Sequence, residues 1–541
     1  MAEPMREMVL NGVAASEGLA IGRLTIDRNV AAGSRRAGSP IDEAMALDAA
    51  LVQARRQIAA LIEAGDQVSA DILEFQQALL EDDDLLAPVR AAIAAGAAAD
   101  TAWSTHLAGE IAAYRAGDDE YLSARAEDLF DLEQRVLRAL MGSVARAPVP
   151  DAGAILVADE LTPSRFVELD WSRLGGAAIR GGSRTSHVSI LARARGVPLL
   201  VGLEAGADRM PDGALAVLDA EAARLVVLPG PATIEATRRR IGERAVLDRT
   251  ATAAINQAAV TAGGERIRIY SNVDDPALLD NLSVDSVDGI GLVRTEFLFH
   301  KGHLPDEAAQ FDAYRRIVEW AKGRPVTIRT LDAGGDKPIA GVTEDGEANP
   351  FLGMRGVRLS LAQPALFGIQ LRALARAAAL GPVRVMVPMV TVPTELDEVR
   401  ALMRSAIDAL EAEGVAHATP SLGMMVEVPA AALTAERFDA DFYSIGSNDL
   451  VQYTTAAARD NPALEKLADP LNPAVLELIR RVVQAGESRG VDVSLCGDMA
   501  SQPSLIGPLI DCGLRALSVA PAQIGRVKQA VRQHAGRTAA A

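Results

Sequence analysis

Eight short apolar runs recur in the second half of this chain, mostly with helical stretches between them, and they constrain its fold more than any other feature. They are Arg266–Val273, Gly289–Phe297, Pro325–Leu331, Val383–Val390, Leu422–Val428, Phe442–Asn448, Asp492–Cys496 and Ala516–Ala520. Eight β-then-α units in succession predict a (β/α)8 barrel of the TIM type. A doubly wound open sheet is the alternative that the same alternation allows. In such a barrel the chemistry sits at the C-terminal ends of the strands. Here those ends carry Asn272, Arg294-Thr295-Glu296, Arg329, Glu427, Asn448-Asp449 and Cys496. Ends chosen only for packing are seldom this polar, so the pattern points to an anion site with a metal.

The chain of 541 residues is too long for one ordinary core. Met8 to Ile26 reads as two short strands around a turn. From residue 40 to 145 apolar residues recur at three- and four-residue spacing, which predicts a helical subdomain inserted after the first strands. Asp118 and Asp119 suit the cap of its last helix. Short β-rich runs bounded by Gly or Pro then return, so residues 146–231 read as a compact α/β domain completed by residues 1–39. A charged, Ala-rich stretch over 232–259 reads as a linker helix, and 260–541 as the barrel. The whole is a multidomain α/β protein.

In the α/β domain, Gly181 to Gly196 reads GGSRTSHVSILARARG. Two glycines follow a predicted strand end, and Ser186 opens a helical pattern with Val188, Leu191 and Ala192 on one face. His187 therefore falls at a helix N-terminus, where unpaired N–H groups and the helix dipole favour an added anion. Its imidazole is nucleophilic near neutral pH. A cap whose histidine merely packs is the plainer reading, made less attractive by the surrounding glycines and hydroxyls of Thr185, Ser186 and Ser189.

In the barrel, Glu427 and Asp449 lie at the mouths of neighbouring strands, and two carboxylates with waters and substrate oxygens suit Mg²⁺. Arg294, Arg329, Arg355 and Arg459, with Lys337, form a cationic group whose forked guanidiniums match phosphate and carboxylate. Salt bridges to Glu296 or Asp332 are the competing explanation. Cys496 ends a strand beside a glycine; as a thiol it can act as a general acid, although a lone cysteine is more often a small buried hydrophobe. Cys512 has only the latter reading.

The formal net charge of −18 disfavours nucleic acid and anionic membrane as partners. Two cysteines exclude a disulfide scaffold and fit a reducing cytoplasm. No run is long enough to span a bilayer, and the first residues lack a signal-peptide core. There is no P-loop, and no GxGxxG follows a strand.

These motifs resemble those of Enzyme I, the phosphoenolpyruvate–protein phosphotransferase of bacterial sugar uptake systems. GGSRTSHVSILAR is similar to its phosphohistidine signature. DGIGLVRTEFLF, RTLDAGGDKP, NPFLGMRGVR, FYSIGSNDLVQYT and SLCGDMA look like its barrel motifs, and LNGVAASEGLAIG, LLEDDDLL and DDEYLSARAEDLFDLEQRVLRALMG like its amino-terminal half. The resemblance implies that His187 carries the phosphoryl group. It implies that Glu427 and Asp449 bind Mg²⁺, that Arg294, Arg329, Arg355, Asn448 and Arg459 hold phosphoenolpyruvate, and that Cys496 protonates the enol as pyruvate leaves. The implied partner is the small carrier HPr, docking on the helices of residues 40–145, and the implied assembly is a homodimer through the barrel. Ala457-Ala458 before Arg459, Asp498 after Cys-Gly, Ser183, and Phe75-Gln76 depart from the usual pattern. The nearest rivals are pyruvate phosphate dikinase or phosphoenolpyruvate synthase, which need a nucleotide-binding domain for which the chain has no room before its first motif. A nitrogen-regulatory paralogue, or a non-catalytic sensor, completes the alternatives.

Overall fold

The structure is a computed structural model describing residues 7–27, 36–64, 73, 76–115, 120–142, 151–184, 186–204, 210–299, 304–335, 337, 339, 341–343, 347–458, 464 and 466–536. The chain forms two compact units, Met1–Ala245 and Val246–Ala541. The boundary falls within the helix Pro231–Ala253.

The first unit holds strands β1 (Met8–Asn11), β2 (Val13–Ser16), β3 (Leu19–Asp27), β4 (Ala154–Ala158), β5 (Leu174–Ile179), β6 (Leu199–Val201), β7 (Leu215–Asp219) and β8 (Arg224–Val227). They form one sheet in the order β1-β8-β7-β3-β4-β5-β6-β2. The stretch read as two strands is thus three. The ladder breaks at Gly12, which leaves β1 on β8 at one edge and β2 on β6 at the other, and the chain reverses at Glu17-Gly18 into β3. The centre, β3 to β6, is parallel. Strand β4, AILVA, is buried at every residue, as a parallel strand covered on both faces must be.

Between β3 and β4 the chain inserts helices Pro40–Ala64, Asp83–Ala94, Ala99–Arg115 and Glu120–Leu140. They enclose their own core around Leu47, Leu51, Ile58, Trp103, Leu107 and Leu132. Polar clasps tie this subdomain to the sheet domain: Arg135 Nη2 donates to Glu168 Oε1 at 2.6 Å and Ser164 Oγ to Asp131 Oδ1 at 2.6 Å. Asp118 and Asp119, expected to cap the last helix, lie outside the described residues.

In the second unit, β9 (Ala259–Val260) pairs antiparallel with β10 (Arg266–Val273). The barrel is β10, β11 (Ile290–Val293), β12 (Val326–Arg329), β13 (Val383–Val387), β14 (Ser421–Val426), β15 (Phe442–Gly446), β16 (Asp492–Cys496) and β17 (Ala516–Val519). Each is parallel to the next, and β10 pairs with both β11 and β17, which closes the ring and excludes the open sheet. Every predicted run overlaps one strand. Several strands stop short of the run's end, because residues such as Arg294 and Asn448 leave the ladder for the barrel mouth. The outer helices follow the expected pattern. In Pro473–Arg489, capped by Asn472 and closed by Gly490, Val475, Leu478, Ile479, Val482, Val483 and Gly486 form one buried face. Among the described residues no helix is long and apolar enough to cross a membrane.

Candidate active site

The first candidate centre lies in the first unit. Ser186 caps the helix His187–Arg195, accepting from Ser189 N, while Ser189 Oγ donates to Ser183 O at 2.6 Å. Val188, Leu191 and Ala192 are buried, so the helix is seated by the face read from sequence. His187 stands at its first turn with its side chain 26% exposed, and Nδ1 lies 3.5 Å from Asp128 Oδ1. That distance is long for a hydrogen bond, yet the carboxylate, against an opposing burial effect, holds the imidazole pKa above its ordinary value. With Nδ1 facing Asp128, Nε2 is the nitrogen left for an electrophile. Thr185 lies outside the described residues.

Asp128 and its neighbour Glu127 carry no signal in the local motif, because they come from the helix Glu120–Leu140 of the inserted subdomain. Asp128 is held by Gln76, whose Nε2 donates to Asp128 Oδ1 at 3.3 Å and Asp131 Oδ2 at 3.0 Å. Asp131 in turn accepts from Ser164 N and Oγ. Gln76, Asp128, Asp131 and Ser164 are all buried. The chain of bonds fixes the carboxylate that faces the ring, from both domains of the unit. Its signal in sequence is the DLFD spacing on one helix face, visible only once its partner is known. Gln76 thus braces the interior of the unit, and Phe75 lies outside the described residues.

The second centre is the C-terminal mouth of the barrel. Arg329, the last residue of β12, is buried and donates from Nη2 to Glu296 Oε1 at 2.6 Å; its Nη1 lies 3.0 Å from Asp332 Oδ2. Arg355, wholly buried, reaches two carboxylates at once. Its Nε and Nη2 donate to Asp332 at 3.0 and 3.1 Å, and its Nη1 and Nη2 to Asp449 at 3.1 and 3.2 Å. Lys337 Nζ adds a third cation on Asp332, at 3.0 Å. Burial opposes the charge on Asp332, but Arg329, Lys337 and Arg355 overcome it and hold its pKa far below the carboxylate range. The salt bridges weighed against anion binding are therefore present, and they preorganise the guanidiniums.

Glu427 follows β14 and accepts from the N–H of Met389 at 2.7 Å. Met389 is held at a φ of 60°, a strained value for a side chain of its size. Burial, then Asp449 and Asp332, push the Glu427 carboxyl well above the usual carboxylate range. Gly446 leaves room beside it, since a Cβ there would come within 2.7 Å of Glu427 Oε2. Asp449 lies not at a strand end but in the first turn of the helix Ser447–Thr455, because β15 stops at Gly446. Asn448, in the same turn, accepts from Asp498 N at 2.9 Å.

Cys496 ends β16 and points into the barrel, packed with Leu292, Met386, Met425 and Phe442. Ser444 Oγ donates to its sulfur at 3.4 Å, and Sγ lies 3.5 Å from Ile445 O. Burial raises the thiol pKa, so the group is held protonated among the charges of Glu427, Arg329 and Arg294. Gly497, at a φ of 103°, turns the chain where a Cβ would strike Ser447 Oγ. Arg294 departs from expectation. It is 37% exposed, beyond the end of β11, and pairs with the exposed Asp274 at 3.2 Å. Arg459 lies outside the described residues.

The described mouth sets four carboxylates (Glu296, Asp332, Glu427, Asp449) against three cations (Arg329, Arg355, Lys337). A polyanion entering such a site needs an added cation. Glu427 and Asp449 offer hard oxygen donors to one, and the strained charge on Glu427 is what a divalent ion relieves. Among the described residues no three His, Cys, Asp or Glu side chains gather as a closed metal site, so water or substrate must complete the shell.

Behind the mouth runs a polar chain the sequence did not disclose. Gln370 accepts from Leu331 N at 3.0 Å and donates to Thr295 Oγ1 and Tyr314 OH, while Thr295 Oγ1 donates to Arg329 O. Gln370→Leu is expected to destabilise the barrel by about 1–3 kcal/mol, because buried donors and acceptors lose partners. Urea unfolding checks this.

Three family profiles match the chain: PEP-utilising enzyme, N-terminal, over residues 11–125; PEP-utilising enzyme, mobile domain, over 150–223; and PEP-utilising enzyme, PEP-binding domain, over 249–535. A phosphoenolpyruvate-protein phosphotransferase of Bacillus sp. is 33% identical, over 99% of this chain and 96% of that one. One from Cupriavidus necator is 36% identical, over 96% and 94%. A solved Enzyme I structure, obtained by NMR, covers 43% of this chain and 99% of its own at 26% identity, with a TM-score of 0.35. The chain belongs to the phosphoenolpyruvate-protein phosphotransferase (Enzyme I) family of PEP-utilising enzymes.

Proposed function

We propose that this protein takes a phosphoryl group from phosphoenolpyruvate onto His187 and passes it to a histidine of a small carrier of the HPr type, in the first step of sugar uptake. The observation that carries this reading is the setting of His187: a solvent-reachable imidazole at a helix N-terminus, with Nδ1 facing a buried carboxylate. In the transfer, Nε2 attacks phosphorus as the bond to the enol oxygen breaks, and the proton stays on Nδ1 against Asp128. The enolate takes a proton at its methylene carbon from the Cys496 thiol, giving pyruvate, and the thiolate is reprotonated from water. Arg329, Arg355 and Asn448, with Arg294 and Arg459, orient the substrate at the barrel mouth. Glu427 and Asp449 would hold Mg²⁺, which would neutralise substrate charge when bound. Transfer of this kind depends on positioning and charge more than on covalent assistance.

The domains take corresponding roles: residues 40–145 dock the carrier, 1–39 with 146–231 carry the histidine, 232–259 link, and 260–541 bind substrate and pair two copies in the cytoplasm. Incubation with phosphoenolpyruvate labelled in its phosphoryl group tests the reading. Label is expected on the protein without any nucleotide, to be lost when Mg²⁺ is chelated, and to pass to a carrier of the HPr type. A wild type that stays unlabelled rejects it, and strict dependence on ATP or AMP favours the dikinase alternative.

A further inference from the structure

Arg355 has no donor left to offer a substrate. A guanidinium carries five N–H donors, and here each is engaged. Nε and Nη2 each give one to Asp332, and Nη2 and Nη1 each give one to Asp449. The last, on Nη1, goes to the Tyr453 hydroxyl at 3.4 Å. The part of Arg355 in orienting a substrate is therefore to hold the two acids. Tyr453, its fifth partner, has no role in the transfer described above. It stands four residues after Asp449 on the helix Ser447–Thr455, a spacing that puts both side chains on one face. Its hydroxyl has a single proton, donated to Phe351 O at 2.6 Å, which leaves a lone pair to accept from Arg355. Phe351 lies in the short turn Pro350–Leu352, and its ring centroid is 6.0 Å from the guanidinium carbon of Arg355. The hydroxyl thus closes a loop of contacts. Arg355 donates to Tyr453, Tyr453 donates to the Phe351 carbonyl, and the main chain runs from Phe351 back to Arg355.

We propose that Tyr453 is a positioning residue for phosphoryl uptake: its hydroxyl ties the Arg355 guanidinium to the main chain of the turn Pro350–Leu352, and so fixes the fork that aims Asp449. This rests on the barrel mouth being where phosphoenolpyruvate reacts. Arginine is a long side chain, and its fork stays planar between two acids only if its far end is held. Of the two acids, Asp449 depends on it more, because Asp332 is also paired with Arg329 and Lys337. The turn itself does not depend on Tyr453 alone. Arg358 Nη1 donates to the next two carbonyls, Leu352 O at 3.0 Å and Gly353 O at 3.1 Å. Removing the hydroxyl therefore leaves the turn in place and releases the guanidinium from it. Since Arg355 offers nothing to the substrate directly, the loss falls on the alignment of charge during reaction rather than on substrate binding.

The test is Tyr453→Phe, which removes the hydroxyl and keeps the ring, in the full-length protein. Rapid-quench labelling by phosphoenolpyruvate, over a range of its concentrations and with Mg²⁺ present, gives the limiting rate, the half-saturating concentration and the fraction of protein labelled. The limiting rate is expected to fall roughly tenfold to a hundredfold, the worth of one hydrogen bond to a charged group. The half-saturating concentration is expected to change little. A merely structural loss would shrink the fraction labelled and leave the rate of the folded part alone. The same substitution is then made in an Arg355→Lys background, where the fork is already gone. There it is expected to have little further effect, because the two residues act as a unit. A limiting rate equal to that of wild type overturns the inference, as does a loss confined to the half-saturating concentration. An equal fall in both backgrounds also overturns it, since Tyr453 would then act without Arg355. Each of these results leaves His187 as acceptor. A wild type that takes no label overturns both readings.

Discussion

Replacing His187 by alanine is expected to abolish phosphoryl uptake, with a loss on the order of 10⁴-fold or more, as for other enzymes that lose their nucleophile. The fold should survive, because the ring is partly exposed and the helix is seated by Val188, Leu191 and Ala192. The comparison to make is therefore labelling by phosphoenolpyruvate alongside thermal unfolding of the same protein. Retained label in a folded His187→Ala variant would move the acceptor elsewhere. The wild-type rate should also rise with pH through the imidazole's titration. Asp128 raises that titration above its ordinary position, and only the neutral ring offers a lone pair on Nε2.

Arg355→Ala is expected to give the second large effect, on stability and activity together. The guanidinium is wholly buried and is the partner shared by Asp332 and Asp449. Its removal strands Asp449 in a water-poor site and leaves Asp332 to Arg329 and Lys337, and breaking buried pairs in this way costs about 3–5 kcal/mol. The same loss frees Asp449 from its fork, so the candidate metal ligand loses its orientation. Arg355→Lys keeps the charge but cannot bridge two carboxylates with a planar fork. It is expected to recover part of the stability and little of the turnover. Chemical denaturation with pyruvate release measures both. An Arg355→Ala protein as stable as wild type would show that Asp332 and Asp449 do not depend on it.

Much of the site could be read before the fold was known. A strand that runs into Arg or Glu at a barrel mouth declares itself locally, as Arg329 and Glu427 do, whereas Cys496 by position alone reads as a small buried hydrophobe. Arg294 was read the same way and differs, because one residue beyond the strand end the side chain swings to Asp274 at the surface. Asp449 was placed at a strand end although a helix had already begun, since GSND suits both a strand exit and a helix start. The braces were not legible. Gln370, Gln76 and Asp128 sit within ordinary helical patterns, where a polar residue on a buried face looks like any other until its partner is known.

The sequence by itself determined the eight-fold barrel, the inserted helices and the helix start at His187. Each follows from periodicity, glycine placement and capping, which act between residues close in the chain. Only the tertiary structure decided that Asp128 faces His187 and that one arginine holds two acids. It also decided that burial disfavours the charged form of Glu427. Those facts depend on burial and on charges brought together from distant segments, and neither is set until the chain has folded.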